Sequence, residues 1–79
     1  METNNSEFQT RDINEAAACL AVGLKLIRLE EGNGFYWFII GSNKGQEVCN
    51  QFWAGELTVD AKKFSDALRG LKDRLFARK

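Results

Sequence analysis

The side chains best placed to do chemistry are few: two cysteines, Cys19 and Cys49, a set of carboxylates and no histidine. Without histidine the commonest acid–base group is missing, and a cysteine nucleophile would need another activator, which the sequence does not supply. The cysteines have no CxxC spacing and no histidine to join them as metal ligands, and two are too few for a disulfide framework. They are expected as buried, reduced thiols. Asp12 and Asp60 stand where helices should begin and are explained as caps, and Glu30 and Glu31 as charged residues beside a turn. Gly32-Asn33-Gly34 lacks the following helix and the basic residue of a phosphate-holding loop. The reading is of no catalytic residue, no metal and no cofactor.

The remaining chemistry is recognition, and its residues cluster on one stretch, Leu24–Gly41, LKLIRLEEGNGFYWFIIG. Two runs rich in branched and aromatic residues flank Gly32-Asn33-Gly34, whose residues tolerate the positive φ of tight turns, so the stretch predicts an antiparallel hairpin over about 24–41. A loop at Gly32-Asn33 sets Leu29 against Tyr36, and one at Asn33-Gly34 sets it against Phe38. Both have the same parity. Ile27 and Leu29 are then expected on one face with Tyr36, Phe38 and Ile40, and Leu26, Arg28 and Glu30 on the other with Phe35, Trp37 and Ile39. The first face is the expected core; the second mixes charge with large rings and calls for a cover or a partner.

The elements around the hairpin follow from periodicity. Phe8-Gln9-Thr10 either adds a short strand or plugs a side chain into the core. Asp12 and Glu15 have capping-box spacing, Ile13, Ala17, Leu20 and Leu24 form a helical stripe, and Gly23 ends the helix, expected over about 12–22. Ser42-Asn43 is expected to cap a second helix over about 44–54, ended by Gly55, with Val48 and Phe52 facing inward. Trp53 points about 100° away from Phe52 on that helix, so one of the two rings should lie near the surface. Leu57-Thr58-Val59 is expected as a third strand, 57–59. Phe64, Leu68, Leu71 and Leu75 predict a last helix over 61–77, with Gly70 either a tolerated cost or a point of close approach. The fold class is therefore α+β: a central hairpin and a short strand packed by three helices, in one domain, 8–79, behind a mobile segment, 1–7.

Composition limits the rest. A chain of 79 residues with 44% hydrophobic side chains is globular but near the low end for a self-sufficient core, so association would help it. Charges cancel overall, yet residues 1–60 hold four basic against nine acidic and 61–79 hold seven against two. The basic set Lys62, Lys63, Arg69, Lys72, Arg74, Arg78 and Lys79 could follow a phosphate backbone, but Asp66 and Asp73 interrupt it. No signal pattern or membrane-length apolar run occurs, so a cytoplasmic protein with no membrane partner is expected.

The series Phe8-x-Thr10-x-Asp12, an alanine-rich helix, Gly23-Leu24-Lys25-Leu26, the aromatic strand, Phe52, Gly55-Glu56, Val59, Phe64 and Ala67-Leu68-Arg69-x-Leu71-Lys72 resembles an uncharacterised family of small bacterial and prophage proteins, over about residues 8–76. Most of these are core and turn residues, so the resemblance implies a shared fold and a phage or mobile-element setting, with no catalytic residues to carry over. In that setting short proteins often act by stoichiometric binding.

The sequence thus points to a non-catalytic protein-binding module, associating with itself, as a homodimer, or with a host or phage protein, an inhibitor of a host defence system being one specific form. The expected anchors are Phe35, Trp37, Ile39 and Trp53, with Arg28 at the rim. The alternative is an accessory protein that binds single-stranded nucleic acid through the aromatic sheet face and the basic last helix.

Overall fold

The structure, a computed structural model, describes residues 7–77. Of the expected mobile segment 1–7 all but Glu7 lies outside the described residues, as do Arg78 and Lys79. The elements are β1 (Phe8–Thr10), α1 (Ile13–Ala21), β2 (Leu26–Glu31), β3 (Tyr36–Ile40), α2 (Gly45–Trp53) and α3 (Ala61–Ala77). The strands form one antiparallel sheet in the order β1-β3-β2, so the hairpin's second strand lies in the middle. The fold is small α+β.

Local chemistry sets the helix ends. Asp12 Oδ1 accepts from the backbone N–H of Asn14 at 2.8 Å and of Glu15 at 3.3 Å, and Asp60 Oδ1 accepts from Lys62 N–H at 2.8 Å. The capping box is only half made: the Asp12 N–H donates to Thr10 Oγ1 at 3.1 Å, and Glu15 turns elsewhere. At the far end of α1, Gly23 takes φ +102° while Leu24 N–H donates to Cys19 O and Gly23 N–H to Leu20 O, both at 3.0 Å. Those two bonds are a Schellman closure, and Gly55, at φ +76°, makes the same closure after α2. Ser42 supports only the turn before α2, accepting from Lys44 N–H at 3.1 Å; Lys44 occupies the cap without a side-chain bond.

The hairpin closes with Gly32 N–H donating to Phe35 O at 2.7 Å around Asn33-Gly34, and Leu29 pairs with Phe38. The pairing then jumps: Arg28 faces Ile39 and Leu26 faces Ile40, so Ile27 is an extra residue, a β-bulge. This corrects the expected faces. Leu26, expected outside, packs against both buried clusters, and Ile27, expected in the core, is 49% exposed and lies over Gly41.

The third strand is Phe8–Thr10, paired with Phe38–Ile40. The expected strand at 57–59 does not form: Leu57 is half-buried against the cluster containing Ile40 and Cys49, and the segment serves as a connection. The free side of β3 is already taken by β1, so the triplet has no partner beside the central strand. Phe8, Thr10, Leu26, Leu29, Phe38 and Ile40 face the helices. In the helical layer α1 lies between α2 and α3, which is why Ala16, Ala17, Ala18 and Cys19 are all fully buried. Small side chains let α1 be approached from several sides. The α3 stripe packs as expected, with Leu71 1% exposed at its centre.

Candidate functional site

All three helices cover one side of the sheet. Alternation therefore leaves Gln9 on β1, Trp37 and Ile39 on β3 with Phe35 just before it, and Arg28 and Glu30 on β2 on the other side. Glu7 and Arg11, immediately before and after β1, continue that side. Two halves of this face are built differently.

In the half nearer the turn, the Phe35 and Trp37 rings stand 5.4 Å apart in an edge-to-face arrangement at 79°. The Arg11 guanidinium lies 3.8 Å from the Phe35 ring centroid, a cation–π contact that holds the ring from the β1 side. Both rings are half-buried. Phe35 also lies over Gly32, where an added Cβ would come 2.5 Å from the ring, so a glycine at 32 is what lets the ring lie down on the turn.

In the other half, Arg28 makes ion pairs with Glu30 at 2.6 Å and Glu7 at 3.3 Å. Hydrogen bonding to both carboxylates holds the guanidinium pKa above its ordinary value. Glu7 lies beside β1 and Arg28 on β2, so their pair must cross the central strand between them. Ile39 lies beneath that crossing, with Gln9 and Arg28 as its register neighbours, and is 2% exposed on a side of the sheet that no helix covers. This corrects the expectation for Ile39: at 2% exposure it offers no surface to a partner, and the register sets Gln9 and Arg28 on either side of it.

Trp53 does not join this face. It ends α2 in the helical layer, 61% exposed, with its Nε1–H donating to Glu15 Oε2 at 2.6 Å and its ring edge-on to Phe52 at 4.9 Å. The other Glu15 oxygen accepts from Thr10 Oγ1 at 2.5 Å. One carboxylate thus ties β1, α1 and α2 together. Phe52 turns inward and stacks on Phe64 at 6.2 Å, so of the adjacent rings Trp53 is the outer one.

An open groove of about 1040 Å³ runs from the same hairpin end toward the last turns of α3, with Phe35, Tyr36, Phe38, Leu75 and Phe76 among its walls and Lys72 at its edge. Phe35 borders both groove and face, making them continuous. The basic residues of α3 do not form one row. At 100° per residue, Lys62, Asp66, Arg69 and Asp73 point outward in alternating sign, while Lys63 and Arg74 lie on one flank and Lys72 on the other. Lys62 is paired with Asp66 at 3.0 Å.

In the closed fold neither cysteine is set up as a nucleophile: burial raises the Cys19 thiol and pushes Cys49 up to about 12. Among the described residues no three of His, Cys, Asp and Glu converge as a metal ion would require, and no helix is long and apolar enough to cross a membrane.

Sequence reasoning missed Arg11, Glu7 and Gln9 as members of the face. Their signal was the alternation Phe8-Gln9-Thr10-Arg11, apolar or small inward and polar outward, readable once the segment is known to be a strand. Comparison with family models, with curated proteins and with solved structures finds no match.

Proposed function

We propose that this chain is a non-catalytic protein-binding module whose partner is a second copy of itself, docked through the sheet face that bears Phe35 and Trp37. The observation that carries the reading is the one-sided cover: every helix lies on the opposite side of the sheet, and a pre-arranged ring pair is left on the other, in the half nearer the turn. Rings held by Arg11 and by each other lose little freedom on docking, which favours them as anchors. The face carries two cations, Arg11 and Arg28, and two anions, Glu7 and Glu30, so an identical face meets no net repulsion. A polyanion gains little from it, because Arg28 is already held by two carboxylates. For the same reason the single-stranded nucleic-acid reading, with the divided basic residues of α3, is the weaker one. The phage or mobile-element setting rests on the sequence resemblance, and inhibition of a host defence protein would be a specific use of the same face.

Light scattering over a concentration series tests this. The parent chain should show a dimer, and Trp37→Glu a monomer with unchanged circular dichroism. A parent chain that stays monomeric at millimolar concentration refutes the homodimer, and binding to a phosphate matrix that falls steeply with salt would establish the nucleic-acid reading in its place.

A further inference from the structure

Glu15 and Cys19 stand one turn apart on α1, and Cys49 and Trp53 one turn apart on α2, so each pair lines one stripe of its helix. The two helices run in opposite directions. Gly45, at the start of α2, meets Phe8, whose partner is Ile40, whereas Trp53, at its end, reaches Glu15 beside Thr10. Stepping one turn from the Glu15–Trp53 bond along both helices brings Cys19 opposite Cys49. Both sulfurs belong to one packed cluster with Ala18, Ile40 and Val48, at 0% and 2% exposure. Ala16, Ala17 and Ala18 on α1 carry nothing beyond Cβ, which allows the close helix approach that a disulfide's Cα separation of about 4.4–6.8 Å demands.

We propose that Cys19 and Cys49 are an oxidation site that closes into an intramolecular disulfide, fastening α2 to α1, when the protein meets a peroxide. One thiolate attacks the peroxide O–O bond, giving a sulfenic acid and, for hydrogen peroxide, water. The second thiolate attacks that sulfur; the S–S bond forms, the S–O bond breaks, and hydroxide leaves with the released proton as a second water. Two thiols and one peroxide are consumed, and the two electrons lost by sulfur reduce the peroxide.

Burial of both thiols makes the closed protein slow to react, so the reaction runs through openings of α2, which packs chiefly on α1 and β1. The crosslink removes freedom from the unfolded chain. The oxidised form should therefore melt about 15–30 °C higher.

The test uses the full chain, incubated with hydrogen peroxide and analysed intact by mass spectrometry after denaturation without reductant. A monomer lighter by two hydrogen atoms, with no titratable thiol, restored by dithiothreitol and absent from Cys49→Ser, is the expected result. The melting shift should vanish with reductant. Two free thiols after prolonged exposure under conditions that populate the openings of α2, separate sulfinic acids, or disulfide-linked dimers alone would each overturn the proposal.

Discussion

Two glycine-to-alanine substitutions should move stability in opposite directions, and the reason lies wholly in what surrounds each glycine. Gly70 is exposed inside α3, and a Cβ built there has no atom within 4 Å. Gly70→Ala therefore keeps the full helix-propensity gain of about 0.8–1 kcal/mol. For a domain of this size that raises the melting temperature by about 4–8 °C. Gly45 opens α2 and is buried, and a Cβ there would lie 2.3 Å from Phe8 Cδ2, 2.4 Å from its Cγ and 2.7 Å from its Cβ. Because the overlap is with the root of the ring, a rotation cannot relieve it; β1 would have to shift away from Ile40. Overpacking of this kind costs about 1–3 kcal/mol, more than alanine's helix gain at a first position returns. The two variants should thus differ by about 2–4 kcal/mol, large beside a total of about 5–15 kcal/mol. Urea unfolding followed by far-ultraviolet circular dichroism measures this directly, with unchanged m-values licensing the comparison. A Gly45→Ala protein as stable as its parent, or a Gly70→Ala protein no more stable, would refute the packing described for β1 against α2 or for the outer side of α3.

The bulge makes a second prediction: Leu26→Ala should cost about 2–3 kcal/mol and its neighbour Ile27→Ala about 1 kcal/mol or less, and equal losses in urea melts would place Ile27 back in the core. A third concerns alkaline pH. The folded state holds the Cys49 proton more tightly than the unfolded chain does, its pKa lying at about 12 against an ordinary 9.0, and Cys19 is raised in the same direction. This stabilisation is complete below pH 9.0 and is lost as pH rises toward about 12. Stability measured across that range should fall more steeply for the parent than for Cys49→Ala, and parallel curves would contradict the thiol's burial.

The sequence by itself determined whatever depends on residues within a turn of one another. Asp12 and Asp60 as caps, Gly23 and Gly55 as helix ends, the α3 stripe, a tight turn within Gly32-Asn33-Gly34 and the outward position of Trp53 relative to Phe52 all follow from local hydrogen bonding and a fixed rotation per residue. The α+β class follows in turn, because a hairpin with apolar residues on both sides and amphipathic helices have few ways to pack. Only the tertiary structure decided which segment became the third strand, since Phe8–Thr10 and Leu57–Val59 are both short triplets that can extend and the place beside β3 admits one of them. It also decided the bulge that exchanges Leu26 for Ile27, because a one-residue slip leaves the local pattern intact and only the cover on the sheet tells the faces apart. The separation of Trp53 from Trp37, the pairing of Arg28 with Glu7 from opposite sides of β3, and the meeting of Cys19 with Cys49 belong to the same class. Each joins residues far apart in the chain, and their relative placement is fixed by how the layers stack, which no short-range spacing records.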